Sequence, residues 1–310
     1  MFEGCTIAAV VPAYNEAKLI GTTITTMPDF VDIIVVVNDC STDETSQRAL
    51  EVGDSRVVLI EHTKNTGVGG AILDGHTKAL ELGSDVNVVM AGDAQMDPQY
   101  LPALLSPICT QGYEFTKANR FFSRSSYAAM PTVRMLGSVG LSFATKVASG
   151  YWNLFDPQNG YTAVHRSALS RLDLNLIARG YEFENDLLIW LNIANARARD
   201  VPIPARYGDE VSTMKISKVA PTIASLLLRG FWRRLMLKHV LASFSPIALL
   251  FFSGLALCAW GLAVGVWVLV ETLGPPAAST GSVLLSVGPL LTGIHMLISA
   301  WTLDIQATPD

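Results

Sequence analysis

The sequence predicts an α/β fold, a doubly wound and mainly parallel sheet, followed by an interfacial amphipathic helix and two transmembrane helices. Three observations point there. Short β-branched runs alternate with helix-length stretches over residues 1–218, the pattern of strand–helix–strand units. Four successive strand ends carry polar or glycine-rich loops. Charge then almost disappears beyond residue 240.

Thr6–Val11 reads as the first strand, Pro12–Glu16 as its loop and Ala17–Met27 as the helix that follows. Asp32–Val37 is the second strand. It ends in Asn38-Asp39-Cys40-Ser41-Thr42-Asp43, and a helix runs from Glu44 to Val52. Arg56–Glu61 is the third strand, after which Asn65–Gly70 opens a helix reaching Leu82. Val86–Met90 is the fourth, a β-branched run that stops at Ala91-Gly92-Asp93-Ala94-Gln95-Met96-Asp97-Pro98. In open α/β sheets such ends line one edge, where ligands bind. Asp93, Gln95 and Asp97 on small-residue backbone suit a hard divalent cation and a diphosphate. The same residues also make an ordinary Asx-Pro turn. Glu114–Ala118 is a further strand, Pro131–Ser149 a helix with Arg134 and Ser138 on one face, and Tyr181–Ala194 another helix.

Residues 219–240 form the amphipathic segment. Ile223, Leu226, Leu227 and Phe231 alternate with Arg229, Arg233 and Arg234, as in a helix lying at a membrane surface. Pro246–Val270 has no ionisable side chain except Cys258 and reaches roughly 37 Å as a helix, against roughly 30 Å of hydrocarbon. Val283–Leu303 is the second candidate span. No Lys or Arg follows Lys238, so the positive-inside rule puts residues 1–218 and the tail in the cytoplasm and the 271–282 loop outside. The apolar run Ile7–Val11 lacks a signal-peptide pattern. Cys5, Cys40, Cys109 and Cys258 show no CxxC spacing, which fits reduced thiols. The five histidines are scattered, so no zinc site is expected. A net charge of −5 argues against nucleic acid, and the basic cluster beside the first span suits anionic lipid.

Four motifs occur in order: Val11-Pro12-Ala13-Tyr14-Asn15-Glu16, Asn38-Asp39-Cys40-Ser41-Thr42-Asp43, Asn65-Thr66-Gly67-Val68-Gly69-Gly70-Ala71 and Gly92-Asp93-Ala94-Gln95. Together they resemble the family 2 glycosyltransferases with the GT-A fold, and the two C-terminal spans narrow the likeness to the polyprenyl-phosphate sugar transferases, relatives of the dolichol-phosphate mannose and glucose synthases. The resemblance implies an enzyme that moves one hexose from a nucleotide diphosphate sugar, UDP-hexose first and GDP-mannose second, to a polyprenyl or dolichyl phosphate. It implies that Pro12, Tyr14 and Glu16 hold the nucleoside, that Asp39 accepts from the base, and that Gly69 and Gly92 let backbone approach the donor. The implied Mg²⁺ or Mn²⁺ site runs Asp-x-Asp-x-Gln. Here its positions are Ala91, Asp93 and Gln95, so the first carboxylate is missing. Arg120 and the pair Arg134 and Ser138 match positions that bind acceptor phosphate, and Arg206 and Lys215 bracket a polar segment resembling a lid over the donor. Where mannosyl-transferring relatives carry a lysine before the helix, this chain has Glu182.

Two other readings share these residues. A processive polysaccharide synthase would carry Gln-x-x-Arg-Trp, whereas Arg229-Gly230-Phe231-Trp232-Arg233 has the wrong order and no glutamine. A non-catalytic membrane-anchored nucleotide-sugar binder would explain Ala91. Two spans are few for a conduit, and homo-oligomers of the hairpin are compatible with them.

Overall fold

The structure, a computed structural model, describes residues 1–122, 132–204, 216–273 and 279–309, with backbone alone at 132–136 and 216–219. It divides into two compact units, residues 1–231 with Pro309, and residues 232–308.

Seven strands form one sheet in the first unit: β1 (Ile7–Ala13), β2 (Ile33–Asn38), β3 (Val57–Glu61), β4 (Val86–Val89), β5 (Phe115–Asn119), β6 (Thr162–His165) and β7 (Ala198–Pro202). Their order is β3-β2-β1-β4-β6-β5-β7. β1 pairs in parallel with β2 and with β4, in registers that include Ala13↔Asn38 and Val10↔Val89. The winding direction therefore reverses between β1 and β4, and the crevice at their carboxyl ends is where such sheets bind ligands. Helices cover both faces. Ile7, Ala9, Val11 and Ala13 pack towards α1 (Ile20–Thr25) and α4 (Leu101–Gln111), with α2 (Thr45–Glu51) on the same side. Ala8 and Val10 pack towards α3 (Val68–Glu81). Two-sided burial explains why β1 and β2 read as unbroken apolar runs. Beyond β5, the long helix α5 (Thr132–Ser149), the single turn α6 (Arg166–Leu169) and α7 (Phe183–Ile193) complete the unit.

The parallel half matches the expectation to within a few residues at each end. The first helix starts later than expected, at Ile20, because Ala17 is held in the loop by Asp43 (N to Oδ2 3.1 Å). β6 and β7 were not expected. β6 is the antiparallel strand, pairing with β4 and β5, and Thr-Ala-Val-His is too short and too mixed in polarity to show a period.

The amphipathic segment is helical, as expected, and part of its apolar stripe is used within the unit. It lies on α8, Ile216–Arg234. Its residues Ile223 and Leu227 are buried against Ala148 of α5 and Ile189 of α7. That part of the stripe expected to face lipid is covered by the unit's own helices, while Leu228 stays exposed.

Two 27-residue helices dominate the second unit: α9 (Pro246–Thr272) and α10 (Thr280–Gln306), with mean hydropathy of 2.2 and 1.8 over their most apolar stretches. Each spans roughly 40 Å, long and apolar enough for a two-span integral membrane protein. Small residues let them touch. A Cβ on Gly254 would stand 2.9 Å from the carbonyl oxygen of Gly293, and one on Gly261 would stand 2.7 Å from that of Ser286. Ser286 Oγ donates to the Gly261 carbonyl at 2.8 Å. Close small-residue contact of this kind drives helix association in lipid. A π-helical turn, Leu235–Leu241, precedes α9. At its start Arg234, nearly buried, makes a two-pronged ion pair with Asp304 of α10 (2.6 and 3.0 Å). His239 stands 3.5 Å from the same carboxylate.

One core residue carries a pH signature. His76 on α3 is 1% exposed, and its Nδ1 has no hydrogen-bond partner among the described residues. Burial pushes its pKa down from 6.5 to about 4. Between those values the unfolded chain binds a proton that the folded chain refuses, so stability falls as pH drops from 6.5 towards 4. The loss by pH 5 is about 2 kcal/mol. His76→Leu removes this term. Its unfolding midpoint in detergent should fall less between pH 7.5 and pH 5 than that of the wild-type protein, and equal falls would contradict the assignment.

Candidate active site

The carboxyl ends of β1 and β2 are stitched together. Asn15 N donates to Ser41 Oγ (3.0 Å), Thr42 N to Asn15 Oδ1 (2.8 Å) and Glu16 N to Thr45 Oγ1 (2.9 Å). Asn15 and Cys40 adopt left-handed backbone, φ 58° and 62°. That conformation suits asparagine better than most residues. Tyr14 stands at the rim, 49% exposed, with its aromatic face available to a planar base.

The β4 loop sits beside this pair. Gly92 N donates to the Pro12 carbonyl (3.1 Å), and Thr23 Oγ1 donates to the Gly92 carbonyl (3.1 Å). A methyl at position 92 would lie 3.3 Å from the Pro12 oxygen and 3.4 Å from Glu16 Cγ. Pro12, Glu16 and Gly92 are thus brought together. Asp93 is half-buried, and its Oδ1 accepts from Gln95 N at 3.0 Å across Ala94, at φ 55°. Burial raises its carboxyl above the usual range. No ion-pair partner for it is found among the described residues, and a cation would meet an under-compensated carboxylate there. Asp97 caps the next turn: its oxygens accept from Gln99 N (3.0 Å) and Gln99 Nε2 (2.9 Å). Among the described residues no group of three His, Cys, Asp or Glu side chains converges on a metal position. A cation held at Asp93 would have to draw most of its ligands from substrate and water, as Mg²⁺ often does.

Asp39, expected to meet the base, is held within the protein by several hydrogen bonds. It is 3% exposed. Its Oδ1 accepts from Thr66 N (2.8 Å) and Thr66 Oγ1 (2.9 Å) and pairs with His62 Nδ1 (2.7 Å), while Oδ2 accepts from Gly67 N (2.9 Å). Burial pushes its carboxyl up, and these hydrogen bonds outweigh burial and hold it below the usual range. The carboxylate anchors the glycine loop. His62 Nε2 in turn stands 3.2 Å from Asp74, which pairs with Arg179.

Gly69 is closely packed on its Cα side. A Cβ there would stand 2.5 Å from Phe183 Cβ and 2.9 Å from the Arg179 backbone. Gly67, at φ 86°, has the Arg179 oxygen 2.7 Å from where a Cβ would be, and Gly70 N donates to that same oxygen at 3.0 Å. The close approach that glycine permits is to residues 179–183, which start α7.

On the other flank Arg120 follows β5. Its Nε and Nη2 grip Asp156 at 2.7 and 2.9 Å, and its backbone N reaches Oδ2 at 3.2 Å. Asp156 is 1% exposed, so the arginine presents an edge already engaged by a carboxylate. Ser138 is half-buried on α5. The Arg134 side chain, and Arg206 and Lys215 altogether, lie outside the described residues. Asn185, fully buried between Glu184 and Asp186, accepts from Thr145 Oγ1 (2.9 Å) and Gln158 Nε2 (3.1 Å), tying α5 and the 156–161 turn to α7. Burial raises the Glu184 carboxyl, and Lys117 opposes it. Sequence reasoning missed Lys117, His62, Asp156 and Arg179. A lysine in the middle of a predicted strand was the one available signal.

Comparison with known proteins gives a consistent picture. The family model described as glycosyl transferase family 2 matches residues 8–173. The UDP-N-acetylglucosamine–dolichyl-phosphate N-acetylglucosaminyltransferase of Methanococcus voltae is 31% identical over 75% of this chain and 96% of its own length. The undecaprenyl-phosphate mannosyltransferase of Micrococcus luteus is 31% identical over 64% of this chain and 82% of its own. Among solved structures, glucosyl-3-phosphoglycerate synthase from Mycobacterium tuberculosis, in complex with Mn²⁺ and UDP-glucose, superposes with a TM-score of 0.55 at 23% identity, covering 74% of this chain and 79% of that one. At that identity the likeness is one of fold.

Proposed function

The chain belongs to glycosyl transferase family 2, and from that premise we propose that it transfers a single hexose from a nucleotide diphosphate sugar to a polyprenyl phosphate at the cytoplasmic face of a membrane. The observation that carries this reading is a family 2 domain followed in one chain by two apolar helices of spanning length. A long isoprenoid stays in the bilayer, and an enzyme that uses it must meet it there. The relatives from Methanococcus and Micrococcus, named for dolichyl-phosphate and undecaprenyl-phosphate acceptors, support the same acceptor class. The donor is a UDP-hexose, with GDP-mannose second. The basic residues Arg229, Arg233, Arg234 and Lys238 before the first span favour a cytoplasmic catalytic unit.

Tyr14 offers a face to the base, and Pro12, Glu16 and Gly92 shape the wall beside the ribose and diphosphate. Mg²⁺ or Mn²⁺ would be held by Asp93 and Gln95 and would supply positive charge to the leaving diphosphate. Arg206 and Lys215, which the resemblance matches to a lid over the donor, would add positive charge to that diphosphate. Arg120, Arg134 and Ser138 receive the acceptor phosphate. Its second pKa is about 6, so the attacking oxygen is largely anionic at neutral pH without a strong general base. That oxygen bonds to the anomeric carbon as the bond to the diphosphate breaks, with inversion, and the electron pair leaves with the nucleoside diphosphate. The protein's contribution is positioning and charge stabilisation.

The test uses the full-length protein in detergent with Mn²⁺, polyprenyl phosphate and radiolabelled UDP-glucose, UDP-N-acetylglucosamine or GDP-mannose in parallel. Label should enter a mild-acid-labile monosaccharide lipid with one donor strongly preferred. Label in polymer, transfer to 3-phosphoglycerate in preference to the lipid, or donor binding without transfer would each overturn the reading.

A further inference from the structure

Under Arg120 the structure hides a second cation. Lys117, the central residue of β5, is 1% exposed, and its ammonium donates to the carbonyl of Asn159 in the turn that also carries Asp156. Withdrawing an ammonium from water is costly unless it is hydrogen-bonded and paired. Here the compensation comes from a group of charges. Burial pulls the Lys117 ammonium below its usual range; Glu184, Asp156 and Asp200 oppose that pull, and Arg120 adds to it. Asp156 grips Arg120. Asp200 accepts from Asn119 Nδ2 (2.9 Å) and Phe155 N (2.8 Å) through Oδ2, and its Oδ1 is buried with no hydrogen-bond partner among the described residues. Lys146 faces Asp200 and donates to the Trp152 carbonyl at 2.5 Å. Three acids and three bases thus share the floor of the acceptor side, with Glu182 acting on Glu184 from beside it.

We propose that Lys117 is a positioning residue for the acceptor phosphate: its buried charge balances Asp156, Glu184 and Asp200, so that Arg120 attracts an incoming phosphate that those carboxylates would otherwise repel. The role rests on the phosphate-acceptor reading above. Lys117 touches no substrate and acts through field and turn geometry alone. Electrostatic balance of this kind sets affinity for a charged ligand more than turnover of the bound complex.

The experiment compares full-length wild type, Lys117→Met, Asp200→Asn and the double variant in detergent at pH 7.5, above the value of about 6 to which burial pushes the Asp200 carboxyl. KM is measured separately for polyprenyl phosphate and for the nucleotide sugar. Lys117→Met should raise the acceptor KM at least about tenfold, with the donor KM changed less than about twofold. Adding Asp200→Asn restores neutrality and should bring the acceptor KM most of the way back, although the packing defect at position 117 remains. Asp200→Asn alone leaves the floor positive and should lower the acceptor KM, which keeps the test open if Lys117→Met does not fold. An unchanged acceptor KM in Lys117→Met, a double variant no better than the single, or a raised acceptor KM in Asp200→Asn would overturn the role. A wild-type protein that transfers nothing to polyprenyl phosphate would overturn the acceptor reading and this role together. Normal wild-type transfer with charge-insensitive variants would overturn this role alone.

Discussion

Asp93→Ala lowers sugar transfer by roughly a thousandfold and destabilises the ligand-free protein by no more than about 1 kcal/mol. Both halves follow from the same geometry. The carboxylate is half-buried, accepts one backbone N–H from Gln95, and is raised in pKa by burial. In the resting protein it is therefore a group whose charge is poorly supported, and its loss costs only the turn hydrogen bond, about 1 kcal/mol. During reaction it is the sole carboxylate in the Ala91, Asp93, Gln95 series, so the proposed hold on the leaving group's cation falls largely on it. Initial rates with labelled donor and polyprenyl phosphate, beside a thermal unfolding midpoint without donor, measure the two halves. Gln95→Ala should raise the Mn²⁺ concentration needed for half-maximal rate and cost less at saturation. Normal turnover by Asp93→Ala would remove the metal assignment.

Asp39 has the opposite signature. Asp39→Ala should destabilise the ligand-free protein by about 3 kcal/mol and raise the donor KM as a consequence. The carboxylate is almost fully enclosed and holds the backbone N–H groups of Thr66 and Gly67, the Thr66 hydroxyl and the His62 ring. Removing it strands the Thr66 N–H and leaves Gly67 N with Asn65 Oδ1 alone (3.1 Å). Asp39→Asn should be nearly as damaging, because one of the two acceptor oxygens becomes an NH₂ facing N–H donors. A residue whose only work was to read the base would behave otherwise, giving a variant of ordinary stability with weakened or altered nucleotide preference. Thermal unfolding without nucleotide distinguishes the two.

The contrast between these aspartates shows what sequence could and could not carry. Strand and helix order in the parallel half was evident because burial on both faces forces apolar runs and because glycine and Asx residues punctuate them. Gly92, Pro12 and Glu16 meet because adjacent parallel strands must end side by side, a consequence of topology alone. What escaped depends on contacts between residues far apart in the chain. Gly69 looked like a phosphate loop and is held by residues 179–183. Arg120 matched an acceptor-phosphate position, and its pairing to Asp156, 36 residues on, was not visible. The stripe at Ile223 and Leu227 looked like a lipid face and packs on α5 and α7. In each case the residue type was read correctly, but no local period or spacing says which distant segment will claim it.

The clasp between Arg234 and Asp304 has a consequence for biosynthesis. The guanidinium emerges from the ribosome 70 residues before its counter-ion. Throughout that interval it belongs to the basic run that insertion machinery reads when it chooses which way round a helix enters the bilayer. When α10 follows, Asp304 cancels that charge and draws the two ends of the hairpin together. The same arginine can thus act first as a direction signal while the chain is being threaded and afterwards as the catch that closes the finished pair of helices.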